Sequence, residues 1–247
     1  MDFDILSIGP EAKRRRRPHL SDEAAAYVRE LIMSGQLTPG TFVRPDAIAE
    51  ALGSSVTPVR EALVMLRGEG FLEQAPHRGF RVGPLSGDDI RDLFVSQALL
   101  AGELAARAVV RCSDAEIDAI RAVQRRIESA LAQEMLEDLQ SLNHEFHRLI
   151  NLGARSPRMS WLLKLATSYL PRRFFTLIAG WPQASAEDHV IIVESFEKRA
   201  PEEARMAMGM HFRHAGELLA AQHEIQSDRP ANSTFEDSRP ESNVVWP

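Results

Sequence analysis

Two short apolar helical stripes only four residues apart constrain this chain more than any other feature. Ala47, Ile48, Ala51 and Leu52 recur at helical spacing up to Gly53, and Val59, Ala62, Leu63 and Leu66 repeat that spacing after Thr57-Pro58. Pro45 suits the first turn of the earlier helix, where no backbone donor is needed. Thr57 is placed to cap the later one, with Pro58 in its first turn and Gly68 and Gly70 at its end. Ahead of the pair, Leu20, Ala24, Tyr27, Val28, Leu31 and Ile32 predict another helix with one buried face, capped by Ser21 and closed by Ser34-Gly35. After it, Phe71-Leu72-Glu73 and Phe80-Arg81-Val82 flank Pro76-His77-Arg78-Gly79, the pattern of a small hairpin with a basic tip. Three helices and such a wing make a winged helix-turn-helix.

Beyond Pro84 the pattern changes to long helices without strand signals. Two capping boxes, Ser86-Gly87-Asp88-Asp89 and Ser113-Asp114-Ala115-Glu116, open the first two. Helices are expected at about 86–110, 113–133, 135–152, 156–180, 185–199 and 201–226, punctuated by Pro157, Pro182 and Pro201. The fold class is therefore mainly α: an N-terminal winged helix-turn-helix with a small β-hairpin wing, then an all-α helical bundle. The expected divisions are a flexible basic arm at 1–17, the winged domain at 18–84, the helical domain at 85–226 and a disordered tail at 227–247. Asp, Arg, Pro, Asn, Ser and Glu dominate that tail, too little apolar content to offset ordering entropy.

Composition narrows the class. The chain has 247 residues, long enough for a real core, and its single cysteine, Cys112, excludes an intrachain disulfide framework and favours a reducing compartment such as the cytoplasm. Neither a signal-peptide stretch nor an uninterrupted apolar run of about 18 residues is seen, so no membrane partner is expected. The formal charge of −6 conceals an asymmetry. Residues 13–85 carry 11 Lys and Arg against 8 Asp and Glu, whereas residues 86–247 carry 18 against 24. The first third can face an anion, and the run Lys13 to Arg17 could add phosphate or minor-groove contacts, although such a run by itself is usually a solvated arm.

In a helix-turn-helix the second helix enters the major groove with its N-terminal residues toward base edges. Here Ser55 and Thr57 can bond phosphates or bases, Arg60 can reach a phosphate or a guanine, and Arg78 with Gly79 can approach the backbone from the wing. Arg44 is a further candidate contact. Each alone is as easily a cap or a surface residue, and their concurrence favours duplex DNA.

Residues 20–82 resemble the DNA-binding domain of the GntR family of bacterial transcriptional regulators. The resemblance rests on Ser34-Gly35-Gln36-Leu37-Thr38-Pro39-Gly40, Ile48-Ala49-Glu50-Ala51-Leu52-Gly53, Thr57-Pro58-Val59-Arg60-Glu61-Ala62-Leu63, Leu66-Arg67-Gly68-Glu69-Gly70-Phe71-Leu72 and His77-Arg78-Gly79. It implies a homodimer on a palindromic double-stranded DNA operator, most simply as a repressor. Asp46 and Val56 stand where relatives usually carry arginine, which weakens phosphate attraction and shifts base preference unless the basic arm compensates.

In the helical domain the histidines are informative, because neutral imidazole is the commonest metal ligand. Asn143 and His147 are four apart and share a helix face, and His189 and His211 lie on following helices that a bundle could bring to one centre. Such a cage suits zinc, nickel or manganese. Taken singly, each histidine is more plainly a hydrogen-bonded or exposed side chain, and His144, His214 and His223 are left with that reading.

Residues 86–222 resemble the FCD effector domain of the FadR subfamily, on Asn143-His144-Glu145-Phe146-His147-Arg148-Leu149-Ile150, Asp188-His189-Val190-Ile191-Ile192 and Met210-His211-Phe212. That resemblance implies Asn143, His147, His189 and His211 as ligands of a divalent metal and a small carboxylate effector completing the coordination. Asn143 replaces the frequent aspartate, so the site is neutral and holds metal less tightly. Gln97 and Ala101 stand where relatives carry arginine and glutamate, so the effector contacts fall to Gln97, Tyr169, Arg172 and Arg173. Trp161, Leu162, Leu165, Phe174 and Phe175 read as core or dimer contacts. The leading function is a ligand-responsive dimeric regulator. Alternatives are a regulator whose helical domain only dimerises and, more remotely, a metal-dependent hydrolase, for which no base has a defined role.

Overall fold

A computed structural model describes residues 20–76, 78–168, 178 and 180–227. The expected basic arm, His77, Tyr169, Arg172, Arg173, Phe174, Phe175 and the tail from 228 onward lie outside them.

The chain order is α1 (Leu20–Met33), β1 (Phe42–Val43), α2 (Pro45–Ala51), α3 (Val56–Gly68), β2 (Leu72–Ala75) and β3 (Gly79–Val82), followed by helices alone. These are α4 (Gly87–Arg111), α5 (Asp114–Ala132), α6 (Leu136–Gly153), α7 (Pro157–Thr167), α8 (Trp181–Glu197) and α9 (Pro201–Ser227). The stripes define the winged core: Ala24, Val28 and Ile32 of α1 pack with Val59, Ala62, Leu63 and Leu66 of α3, all essentially without solvent exposure. Burying each larger aliphatic side chain contributes about 1.5–3 kcal/mol.

Three local readings are refined. The third helix begins at Val56 with an extended Ser55 at its N-cap, and no side-chain cap bond forms there, so Thr57 lies in the first turn and does not cap. Ser21 sits inside α1 rather than ahead of it. The wing gains a third strand: the order is β1-β3-β2, with Phe42 opposite Arg81 and Leu72 opposite Val82. Gly79 opens β3 at φ +87°, a conformation that favours glycine at the hairpin tip.

Both capping boxes form as expected, Ser86 with Asp89 and Ser113 with Glu116. Backbone and side-chain bonds from Ser113, reinforced by Arg155, hold the Glu116 carboxyl down at about 2. The fourth helix of this domain is described as far as Thr167, and α8 starts at Trp181, four residues before the expected Ser185, because Pro182 occupies a first-turn position that needs no donor. By length and apolarity α4 passes for a membrane span. Its apolar side is instead the centre of the bundle, with Ile90, Phe94, Leu104, Ala105 and Val109 buried and α9 laid along it.

The α4–α9 crossing is close because Gly216 faces Phe94. A Cβ on Gly216 would lie 2.6 Å from Phe94 Cβ. Gly216→Ala is therefore expected to destabilise the protein by about 1–3 kcal/mol through overpacking, despite alanine's better helix propensity. A urea midpoint at or above that of the unsubstituted protein would contradict this account of the crossing.

Candidate effector site and DNA-binding face

On α6, His147 follows Asn143 by one turn and shares its face. α6 packs on α5 and α4, which also carry α8 and α9, and this brings His189 and His211 to it. One nitrogen from each of the three histidines lies within 4.8 Å of the other two, and Nε2 of His211 is 3.2 Å from Nε2 of His147. Phe146 stacks on His189 at 3.9 Å between centroids and 12° between planes, which fixes that ring. Trp181 and Phe212 flank His211.

Electrostatics keep these rings neutral. Burial, then the charge of His211, pushes the pKa of His147 and of His189 well below the ordinary value. His211 is also lowered by burial, against the opposing pull of Asp188. Neutral imidazoles present lone pairs, which is what a metal ligand requires.

The donor set fits a divalent metal on two observations. Asn143 Oδ1 and both ring nitrogens of His189 are buried without a hydrogen-bond partner among the described residues, and an orphaned oxygen or imidazole lone pair in a packed interior is costly unless a cation or water takes it. Two nitrogens on one zinc at about 2.1 Å and tetrahedral angles stand about 3.4 Å apart, close to the His147–His211 spacing.

The cage opens on a cavity of about 1290 Å³, whose wall includes Asn143, His147, His211, Trp181, Met208 and Phe212. Ala101 lines it as well. Gln97 does not: fully buried, it donates through Nε2 to the Ala166 carbonyl at 3.2 Å and ties α4 to α7. The polar lining includes Arg148 and Lys164, with Arg29 and Glu69 from the winged domain, which sequence reasoning did not single out, and His144, which it left without a site role. Four Arg and Lys side chains line the cavity, Arg29, Arg148, Arg155 and Lys164, against the carboxylates of Asp22 and Glu69, so it is cationic in an acidic chain.

Two of the histidines left unassigned have structural roles. His214 Nδ1 stands 3.0 Å from Asp188 Oδ2. His223 is buried between two carbonyls, Nδ1 at 3.2 Å from Met33 O and Nε2 at 3.1 Å from Leu85 O, so α9 lies against the end of α1 and the linker, with one of the two carbonyls accepting from the ring in either neutral tautomer. Arg29 of α1 makes the other junction, donating to the Ser168 carbonyl at 2.9 Å and pairing with Glu69 at 2.7 Å. The cavity thus has α1 and α3 as part of its wall, next to the cage.

On the opposite face of α3, Ser55, Thr57 and Arg60 are exposed together at the helix start, and Arg78 with Gly79 is exposed at the wing and Arg44 ahead of α2. Arg44, Arg60 and Arg78 make no ion pair among the described residues, so their charge remains available to phosphates. Asp46 is exposed beside them.

Comparison with known proteins agrees with this architecture. Residues 20–82 match the model of bacterial regulatory proteins of the gntR family, and residues 92–214 match the FCD domain. The Nta operon transcriptional regulator of Aminobacter aminovorans is 30% identical over 190-odd residues (196), covering 76% of this chain and 90% of that protein. The transcriptional repressor RspR of Escherichia coli is 23% identical over 206 residues, 81% of this chain and 89% of that one. Among solved structures, E. coli McbR/YncC superposes with a TM-score of 0.61 at 18% identity, covering 83% of this chain and 98% of that one, a likeness of fold. Such relatives are transcriptional regulators, not enzymes. With a winged helix-turn-helix, an FCD bundle and a relative of this identity across three quarters of its length, the chain belongs to the GntR family of bacterial transcriptional regulators, in the domain arrangement of the FadR subfamily.

Proposed function

We propose that the protein is a cytoplasmic, effector-controlled repressor that binds a palindromic operator as a homodimer and releases it when a small carboxylate metabolite enters the helical domain. The observation that carries this reading is the shared wall: one cavity touches both the histidine cage and α1 and α3 of the DNA-binding domain. A ligand seated there has different contacts when the winged domain moves, which is the requirement for coupling two sites. Asn143, His147, His189 and His211 would hold zinc, nickel or manganese. The metal, when bound, supplies a Lewis-acidic point for a carboxylate, while the cationic lining attracts the anion and Trp181, Met208 and Phe212 exclude water around it.

Dimerisation is assigned to α7. Trp161, Leu162 and Leu165 are 60%, 45% and 50% exposed, and the middle of the helix keeps only Leu163 buried. Trp161→Asp with Leu165→Asp is expected to shift the protein to a monomer in analytical ultracentrifugation and to weaken operator binding about 100-fold or more, because the second half-site no longer adds avidity. A dimer that survives both charges would move the interface elsewhere.

The function is tested by mapping bound chromosomal fragments and then titrating them with and without zinc and a panel of carboxylates. One fragment bound selectively and released by one metabolite is the expected result. Selective binding that no metal or metabolite alters would favour a helical domain that only dimerises. On the selected fragment, Arg60→Ala is expected to cost about 1–3 kcal/mol.

A further inference from the structure

Asp188 precedes a cage histidine on α8 and has no role so far. Its side chain is only 12% exposed, with Oδ2 3.4 Å from Nδ1 of His211. At that distance the pair is a Coulombic contact rather than a closed hydrogen bond. From the outer side, His214 Nδ1 approaches both carboxylate oxygens, at 3.0 and 3.1 Å, which fixes the carboxylate plane. A carboxyl is ordinarily ionised at neutral pH, and here imidazole nitrogens face it from two sides.

An ionised carboxylate facing Nδ1 selects the tautomer of His211. A lone pair on Nδ1 would oppose the negative oxygen, whereas an Nδ1 proton is attracted to it. Since a neutral imidazole has one proton, Nε2 then keeps its lone pair, and Nε2 is the nitrogen that faces His147 in the cage. Charge is the second consideration. Three neutral imidazoles and an Asn143 amide leave a divalent ion uncompensated, and in a water-poor interior a carboxylate one ring away is weakly screened.

Resting on the reading of the cage as a metal site, we propose that Asp188 is its positioning residue: it orients His211 with Nε2 toward the ion and supplies the negative charge that Asn143 does not. The compensating carboxylate has thus been placed behind a ligand rather than among the ligands.

The test uses the full-length protein and zinc alone, with affinity measured by competition against a chromophoric chelator. Asp188→Asn, which keeps shape and removes charge, is expected to weaken zinc binding 10- to 100-fold. Adding Asn143→Asp to that variant is expected to recover most of the loss, because the charge returns at the first ligand position. Long-range ¹H–¹⁵N correlation on the metal-free protein reads the tautomer, with a protonated Nδ1 on His211 in the unsubstituted chain and a mixture in Asp188→Asn. His214→Ala leaves the carboxylate in place and is expected to cost less than Asp188→Asn. Should metal-free Asp188→Asn fail to fold by circular dichroism, Asp188→Glu takes its place, with zinc affinity within a few-fold of the unsubstituted chain and Nδ1 of His211 still protonated. Zinc affinity and tautomer both unchanged in Asp188→Asn, or a lost Nδ1 proton in Asp188→Glu, overturns the positioning role while leaving the metal site standing. An unsubstituted protein that takes up no zinc overturns the metal reading itself and this inference with it.

Discussion

Freed of divalent metal by a chelator, the protein is expected to lose stability steeply as the pH falls from 7 to 5. His147, His189 and His211 are all held below their ordinary pKa, chiefly by burial. Below about 6.5 the unfolded chain therefore takes up protons that the folded cage refuses. More protons on the unfolded state means that unfolding becomes easier as pH drops, and the stabilisation present above 6.5 disappears until the lowered folded values are reached. Each imidazole contributes at most about 1.4 kcal/mol per pH unit, so the three together set a ceiling near 4 kcal/mol per unit. Mutual coupling brings the expected slope to about 2–4. Saturating zinc should raise the curve at pH 7, by about 2.7 kcal/mol at a hundredfold excess over Kd, and the gain should vanish toward pH 5 as protons displace the metal. Urea titrations at half-unit intervals, with and without zinc, give the curve directly. His189→Leu should lower the metal-free slope by about a third. A level curve between pH 7 and 5 would show that the rings are not held neutral in the folded state.

How much of this was legible beforehand depends on how local each signal is. Glycine, proline and serine at element ends mark the helix-turn-helix and both capping boxes, because each acts within its own turn. The two-residue strand Phe42–Val43 left no trace, since it exists only by pairing with Arg81 and Phe80 of β3. The site divides similarly. Asn143 and His147 share a face by helical arithmetic, whereas nothing in the spacing alone places His189 and His211 against them; the family resemblance does, and the physical cause is that α4 and α5 hold α6 on the same centre as α8 and α9. Asp188 sat in view beside His189, yet its significance lies in an imidazole 23 residues onward at 3.4 Å. Gln97, expected at the effector, instead donates from Nε2 to a backbone carbonyl of α7. The junction between domains was invisible for the same reason, being made by single long-range contacts of Arg29 and His223.

That junction predicts the second large effect. Arg29 lies at 7% side-chain exposure, with one guanidinium nitrogen on Glu69 and another on the carbonyl of Ser168, and its guanidinium rests 5.7 Å from the centre of the Phe71 ring. Glu69 is the C-cap of α3 and Ser168 that of α7, so one side chain joins the end of the recognition helix to a helix of the cavity wall. Arg29→Met keeps much of the apolar stem and removes the charge, leaving Glu69, 22% exposed, and the Ser168 carbonyl without their protein partner at the cavity wall. The expected loss is about 2–4 kcal/mol of stability, since stranding one partner of a part-buried charged pair costs more than the pair itself is worth. Glu69→Gln should cost less, because Arg29 keeps the Ser168 carbonyl and the amide can still accept from it. Function should respond more sharply than stability. If α3 senses the cavity through Arg29, the factor by which zinc or an effector alters operator affinity collapses toward one in Arg29→Met, while intrinsic operator binding, which we propose rests on Arg60 and Ser55 at the start of α3, persists. Titrating the selected operator with both proteins, with zinc present and absent, measures the two factors side by side. Retention of the full difference in Arg29→Met would show that the domains communicate by another contact, with the His223 bridge next in line.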